Sequence, residues 1–468
     1  MSRAPFAAKQ PDLDGARVLV IGLGRSGRAA ARLAASRGAR VTAADRRSEH
    51  ELADAVRELG PCGVALALDG HPAELAAGAD LVVLSPGVPG DVPVIAEART
   101  RGVPVWAEVE LAWRFASGRV IGITGSNGKS TTTAMVGAIL RYAGIAGGTG
   151  GNLATPFCEL LELDGPHAVH AVELSSFQLE SIDAFRADVG AILNLTPDHL
   201  DRYPDFDAYG AAKARLLETQ GTGDSAILNA DDPESVRFVS AVRGTPHAFS
   251  IRSEVDRGAF LDGSGLVVRT AAGSELVLDR AELPVPGDHN VANALAAALC
   301  CRLAGCPVQA IAAALRRYRP LPHRLERVGE LRGVAFFNDS KATNLDAAER
   351  AVRSFPGVGV HMILGGKDKG ADWDAFAAVA RGRVAKAYVI GAAAQRIRTA
   401  LAGAVPVESC ETIANAVPTA FASARPGDVV LLAPGCASFD QYANFEARGD
   451  DFRRVVGALV AAEEASHA

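Results

Sequence analysis

The 468-residue sequence contains no uninterrupted apolar run of about 18 residues, the length a membrane-spanning helix requires. Its opening stretch, MSRAPFAAKQPDLDGAR, lacks the continuous apolar centre of a secretory signal. A soluble, cytoplasmic chain with no integral membrane association is expected. The seven cysteines, Cys62, Cys158, Cys300, Cys301, Cys306, Cys410 and Cys436, are odd in number, scattered and without a CxxC pair, which suggests neither a disulfide framework nor a zinc site. Basic charge is not in surplus either. Lys and Arg number 48 against 54 Asp and Glu, for a formal charge of -6, which argues against a nucleic-acid partner. The local run Arg316, Arg317 and Arg319 reads as a solvated helix end. Repeats and low-complexity tracts are missing too.

Hydrophobic residues at 49% and charged residues at 22% are material for roughly two to four ordinary cores. Arg17 to Ile21 reads as a strand, followed by a Gly-rich turn, an Ala-rich helix and a second strand at Ala39 to Asp45. Further strands are expected at Val64 to Leu68, Asp80 to Leu84 and Val103 to Trp106. The pattern restarts at Arg119 to Thr124 with a helix to Tyr142, which Gly144 is placed to cap. Strands follow at Ala168 to Glu173, Val189 to Asn194 and Ala226 to Asn229. From about His247 to Leu283, short alternating stretches suggest a small antiparallel addition. After Arg319-Pro320-Leu321-Pro322, which suits a hinge, strands recur at Val334 to Phe337, Val358 to Leu364, Ala387 to Ile390 and Val429 to Leu432. The expected fold class is α/β in three domains, at 1–117, 118–319 and 320–468.

Two glycine loops carry the first chemical signal. Gly22-Leu23-Gly24-Arg25-Ser26-Gly27 lies between strand and helix, with Asp45 ending the next strand, which taken alone reads as a dinucleotide site. Backbone N–H groups at a helix N-terminus bind any diphosphate, so a UDP-sugar or a purely structural turn fits as well. Asp80 to Gly87 places a second loop at a strand C-terminus. Thr124-Gly125-Ser126-Asn127-Gly128-Lys129-Ser130-Thr131 is the stronger signal: N–H donors for phosphate, a lysine charge, and a hydroxyl for magnesium. Ile123 stands where the general P-loop pattern has its first glycine.

This loop resembles the phosphate loop of the Mur ligases and folylpolyglutamate synthases. The resemblance continues in order along the chain: GGN at Gly150 to Asn152, ELSSFQLE at Glu173 to Glu180, NLTPDHLDRYP at Asn194 to Pro204, and GDHNVANALAA at Gly287 to Ala297. PHR at Pro322 to Arg324, NDSKATN at Asn338 to Asn344, LGGKDKGADW at Leu364 to Trp373 and PGCASFDQYANFEARGDDF at Pro434 to Phe452 are most similar to the D-glutamate-adding branch.

The resemblance implies a Rossmann-like N-terminal domain, a P-loop-type mononucleotide-binding central domain and a Rossmann-like C-terminal domain. It implies an ATP-dependent ligase of peptidoglycan precursor synthesis, with UDP-N-acetylmuramoyl-L-alanine and D-glutamate as small-molecule partners, ATP and two magnesium ions as cofactors, and a monomeric chain. ATP contacts map onto Gly125, Ser126, Asn127, Gly128, Lys129, Ser130, Thr131, Asn290, Asn293, Arg324 and Asp339, although helix capping rivals nucleotide binding at Asn290. The catalytic set is Lys129, Glu173, His199 and Lys213, and the metal set is Ser130, Glu173, His199 and Lys213. Lys213 is implied to be carbamylated, whereas the residues alone favour a surface lysine. UDP-precursor contacts map onto Arg25, Ser26, Asp45, Arg46, Gly87 and Asn152. The amino acid falls to Lys341, Thr343, Lys369, Ser438 and Phe445, a set of two lysines and two hydroxyls suited to a dicarboxylate. His167 and His170, spaced HxxH in a strand, read as incidental.

Overall fold

The computed structural model describes residues 9–199, 202–368 and 370–467. Two compact units divide it: one runs to Glu282 and adds Ala292–Arg317, and the other takes Leu283–Val291 and resumes at Tyr318. The architecture is α/β, built on three sheets.

Five parallel strands form the first sheet: β1 (Arg17–Ile21), β2 (Arg40–Ala44), β3 (Ala65–Ala67), β4 (Leu81–Leu84) and β5 (Val105–Ala107), in the order β3-β2-β1-β4-β5. The order reverses between β1 and β4, the position where open α/β sheets leave a crevice for ligand. Helix Arg25–Ser36 packs close to this sheet because its inward positions, Ala29, Ala30, Ala31 and Ala34, carry only methyl groups. Gly22, at φ +89°, is required by the loop itself: a Cβ there would meet Val88 Cγ2 at 2.6 Å.

The second sheet has nine strands: β6 (Arg119–Thr124), β7 (Thr149–Gly151), β8 (Val169–Glu173), β9 (Val189–Ile192), β10 (Ser225–Asn229), β11 (Thr245–Ser250), β12 (Gly258–Asp262), β13 (Gly265–Thr270) and β14 (Gly273–Asp279). Their order is β14-β13-β12-β11-β10-β9-β6-β8-β7. The expected antiparallel addition is continuous with this sheet, since β12 runs parallel to β11 before β13 and β14 turn back on it. Helix Lys129–Tyr142 ends as expected: Gly144 takes φ +69°, and Ile145 N–H donates to Leu140 O.

The second unit holds six strands: β15 (Glu326–Leu331), β16 (Val334–Asn338), β17 (Val360–Gly365), β18 (Val384–Ile390), β19 (Val407–Glu411) and β20 (Val429–Leu432), in the order β15-β16-β20-β17-β18-β19. Only β15 is antiparallel to its neighbour. Three strands that the hydrophobic pattern does not announce, β7, β15 and β19, are all sheet edges. An edge strand buries one side and keeps polar residues, so its sequence carries no apolar run.

Within the first unit, one apolar cluster runs from Leu13 and Val18 through Trp106 and Leu111 to Phe157 and Leu228, joining residues of both sheets. A buried ion pair reinforces it. Arg114 Nε donates to Glu110 Oε1 at 2.7 Å, and both side chains are fully buried on helix Glu108–Phe115. Glu110 also accepts the N–H groups of Asp183 (2.9 Å), Ala184 (3.1 Å) and Phe185 (2.7 Å), while Arg114 reaches Asp183 Oδ2 at 2.8 Å. One helix thus satisfies the backbone of a loop 70 residues further on. His170 acts similarly: it is fully buried, its Nε2 lies 2.9 Å from Asp164 Oδ1, and its Nδ1 accepts from Gly148 N–H, so it serves the packing of the unit.

Glu110→Ala takes one carboxylate partner from the buried Arg114 guanidinium and the acceptor from three N–H groups, and is expected to destabilise the first unit by about 3–5 kcal/mol in urea unfolding followed by circular dichroism. A loss below about 1 kcal/mol would mean that the packing around Arg114 carries the junction without the charge.

Candidate active site

The phosphate loop begins where β6 ends, and its shape is set by side chains from elsewhere. Asn194, just beyond β9, accepts Ser126 N–H at its carbonyl (2.8 Å) and Asn127 N–H at its side-chain oxygen (2.9 Å), and its amide returns a bond to Asn127 O (2.9 Å). The Ser126 hydroxyl donates to Thr196 O, accepts Thr196 N–H and lies 3.0 Å from Tyr209 Oη. Gly125 and Gly128 stand at φ +148° and +84°. A Cβ on Gly128 would come 2.4 Å from Asn293 Oδ1, so the helix Asp288–Leu303 delivers Asn293 directly against the loop. Asn293 Oδ1 also accepts from Thr132 Oγ1. Ser130 is buried at the start of helix Lys129–Tyr142.

Two lysines converge on this loop. Lys129 Nζ donates to Gly125 O (2.8 Å) and Ser126 O (2.9 Å), and Lys213 Nζ donates to the same Gly125 O (2.9 Å). Lys213 is 1% exposed, which corrects the surface reading that its residue type favours. Helix Phe206–Glu218 places it on its inner face, in line with buried Tyr209 and Ala212. Burial, and then the neighbouring Lys129 charge, hold its pKa well below the ordinary lysine value, against the opposing pull of Asp198 and Glu173.

Glu173 closes β8 and is 2% exposed. Its Oε1 accepts from Asn152 Nδ2 at 2.7 Å, and its Oε2 is buried with no hydrogen-bond partner among the described residues. Asn152 is therefore beside Glu173, just beyond the end of β7. His199 stands at φ +56°, with its ring centroid 4.8 Å from that of Phe177 and Nε2 3.7 Å from Asp198 Oδ2.

At the first sheet, Arg25, Ser26, Asp45, Arg46 and Gly87 all lie beyond the C-terminal ends of β1, β2 and β4, at the switch point. Asp45 is already committed: Oδ2 accepts Leu23 N–H at 2.7 Å, and both oxygens meet Arg47. Burial raises the Asp45 pKa, but the Arg47 bond and the N–H groups of Leu23 and Arg47 outweigh it and bring it down to about 2. Asp45 thus braces the loop, and Arg47 is a partner the sequence motif does not contain.

On the second unit, Lys341 Nζ lies 3.9 Å from the Phe445 ring centroid, and Thr343 N–H donates to Lys341 O. Arg448, 1% exposed, binds Ser340 O (2.8 Å), Ser340 Oγ (3.0 Å) and Cys436 O (3.1 Å), knitting together the segments that carry Lys341, Ser438 and Phe445. Burial lowers its pKa to about 10. Lys369 lies outside the described residues. The Asp339 carboxyl is pushed up to about 7 by burial, opposed by Arg324 and by the Leu325 N–H. Asn290 donates Nδ2 to Pro286 O at 2.7 Å.

Models of the MurD-like N-terminal domain of the Mur ligases, the Mur ligase middle domain and the Mur ligase glutamate ligase domain match residues 16–107, 123–301 and 323–436. The UDP-N-acetylmuramoylalanine--D-glutamate ligase of Solibacter usitatus is 48% identical, over 96% of this chain and 99% of that protein. The chain belongs to the Mur ligase family. The ligase of the same name from Anaeromyxobacter dehalogenans is also 48% identical, over 95% of this chain and 98% of its own. Among solved structures, the UDP-N-acetylmuramate-alanine ligase MurC of Thermotoga maritima has a TM-score of 0.60 at 20% identity, over 95% of this chain and 99% of that one. The pseudomurein peptide ligase type C of Methanothermus fervidus has a TM-score of 0.61 at 18% identity, over 95% of this chain and 100% of its own. At those identities the two structures bear on fold alone.

Mur ligases use ATP and magnesium, and the residues here suit the ion. Among the described residues no group of three or more His, Cys, Asp and Glu could by itself hold a metal. Magnesium keeps several waters and takes one or two carboxylates together with substrate phosphates, so a full protein cage is not needed. The unpartnered Glu173 Oε2 and the Ser130 hydroxyl are the oxygen ligands such an ion would take. Asn194 and Arg448 fall inside the Mur-like motifs and Tyr209 lies just beyond one, but only their three-dimensional partners reveal that they shape this Mur ligase's loops.

Asn194→Ala removes two side-chain bonds to Asn127 and frees the loop. At about 0.5–1.5 kcal/mol per bond, kcat/KM for ATP in a phosphate-release assay is expected to fall roughly 5- to 100-fold with an unchanged melting temperature. An unaltered kcat/KM would mean that the glycines hold the loop unaided.

Proposed function

We propose that this chain joins D-glutamate to UDP-N-acetylmuramoyl-L-alanine with hydrolysis of ATP, forming a precursor of peptidoglycan. The observation that carries this reading is near full-length identity of 48% to relatives named for that ligation. The site chemistry is of the same kind. A glycine-rich loop at a helix N-terminus, two lysines and an unsatisfied buried carboxylate suit a nucleoside triphosphate with its metal. No helix among the described residues is long and apolar enough to cross a membrane, and the reading includes a cytoplasmic, monomeric enzyme.

In this reading the γ-phosphoryl group passes to the carboxylate of the alanyl substrate, giving an acyl phosphate. The amino group of glutamate attacks its carbonyl carbon, and phosphate leaves from the tetrahedral intermediate. Gly125 to Thr131 receive the phosphates, and Lys129 balances the charge of the phosphoryl group in transit. Asn290, Asn293, Arg324 and Asp339 serve the nucleotide. Glu173 and His199 serve magnesium, which when bound polarises phosphoryl oxygens. Arg25, Ser26, Asp45, Arg46, Gly87 and Asn152 serve the UDP precursor, Asp45 by holding its loop. Lys341, Thr343, Lys369, Ser438 and Phe445 hold glutamate, with the Lys341 and Lys369 charges matched to its two carboxylates.

A panel of amino acids assayed with UDP-N-acetylmuramoyl-L-alanine is expected to release phosphate with D-glutamate alone. Lys129→Ala should reduce that kcat at least about a hundredfold in a folded protein. Release with L-alanine or a diamino acid instead would move the chain to another ligation, and normal turnover in the Lys129 variant would remove the role assigned to that lysine.

Carbamylation of Lys213 belongs to the same reading. An ammonium buried beside Lys129 is strained, and the neutral amine that burial favours can add CO2, forming an N–C bond and losing a proton. The product is an anion beside Lys129. Lys213→Ala is expected to lose most activity and regain part of it with formate or acetate. A 44 Da increment absent in bicarbonate on intact-mass analysis, which is the mass of about one CO2, together with full activity of the alanine variant would sink the modification.

A further inference from the structure

His199 holds a backbone conformation that a non-glycine residue keeps only when its surroundings impose it, with φ at +56°. Its side chain is 39% exposed, so burial alone does not fix the ring. Among the neighbours that hold it are residues to which none of the roles above is assigned. His199 O accepts the N–H groups of Arg202 (2.9 Å) and Tyr203 (3.1 Å), which ties those two residues to His199. The His199 ring meets Phe177 edge-on at 4.8 Å and 62°. That same Phe177 ring carries the Arg202 guanidinium, its Cζ 3.9 Å from the centroid.

Glu180 is the hub of the set. Its Oε2 accepts Arg202 Nη2 at 2.8 Å, and its Oε1 accepts the Tyr203 hydroxyl. Its backbone oxygen accepts Arg215 Nη1, and Arg215 Nη2 binds Ile182 O at 2.7 Å. Arg215 stands two residues beyond Lys213 on helix Phe206–Glu218. Glu180 therefore ties three segments to one another: that of His199 and Arg202, the short helix of Phe177, and the helix of Lys213.

We propose that Arg202 and Glu180 form a positioning clamp that sets the His199 ring, through Phe177 and the backbone bonds to His199, for its work at the metal and phosphate site. This deepens the reading of His199 given above and rests on it. Arginine suits the place because a planar guanidinium can stack on an aromatic ring and pair with a carboxylate at the same time, whereas a lysine ammonium is a point charge that does one or the other. Glutamate neutralises the guanidinium, so the clamp adds no net positive charge near a site that must admit a cation. Neither residue touches the reacting atoms in this arrangement; both act through His199.

The test uses the full chain with Arg202→Ala, Arg202→Lys, Glu180→Gln and His199→Ala, and the double variant His199→Ala/Arg202→Ala. Manganese binding in the presence of a non-hydrolysable ATP analogue is read by water-proton relaxation, alongside kcat and the melting temperature. Arg202→Ala and Glu180→Gln are expected to lower kcat about tenfold and to weaken manganese binding about fivefold, with the melting temperature held. Arg202→Lys should recover only part of either. In the His199→Ala background the Arg202 change should add less than about twofold, because residues acting through one group are not additive. A full Arg202→Ala penalty on top of His199→Ala would overturn the clamp while leaving His199 in place, as would unchanged manganese affinity in Arg202→Ala. Wild-type turnover and metal affinity in His199→Ala would instead remove the reading of His199 itself.

Discussion

Two lysine amino groups, those of Lys129 and Lys213, donate to one backbone oxygen at Gly125. Two positive charges so placed, one of them on a side chain 1% exposed, would repel strongly because the protein interior screens them little. Glu173 and Asp198 offset part of that repulsion, and one oxygen of Glu173 is still without a partner. The site is thus built with polar capacity it does not use internally. Phosphate oxygens and a metal ion are the species that complete such a balance, and the rest of the first unit is arranged to keep these groups where they are.

Rigidity around that point comes from three independent devices. Asn194 replaces the solvent that would otherwise bind the loop's N–H groups, so the loop keeps its shape without ligand. Tyr209, one turn before Lys213, meets the Ser126 hydroxyl, so the helix that carries the second lysine also touches the loop that carries the first. The Glu110–Arg114 pair joins the first helix-and-sheet layer to the loop at Asp183 to Phe185. A buried pair of this kind is poor evidence of net stability but strong evidence of a fixed geometry, since either partner alone is costly.

The second unit solves a related problem with one arginine. Arg448 contributes its three donor nitrogens to backbone and hydroxyl groups on two separate segments, so the residues expected to hold an amino acid stand on a frame that does not depend on that ligand. Lys341 lies over the Phe445 ring, an arrangement that keeps an ammonium available to a carboxylate while still holding it in place.

The sequence by itself determined the fold class, the glycine loops and most of the residues at them. Strands such as β4 and β20 are continuous apolar runs because both their faces are covered, and loops that bind phosphate need glycine and lysine at fixed spacing. Those are local requirements, and local requirements are written in local sequence. What only the tertiary structure decided lies at longer range. It buried Lys213, which as a residue type belongs on the surface; it bonded Asp45 to Leu23 and Arg47; it set Asn152 against Glu173; and it gave His170 a place in the packing. In each case the partner comes from another segment, and a side chain's solvation and charge depend on what the fold brings against it, which no spacing along the chain records.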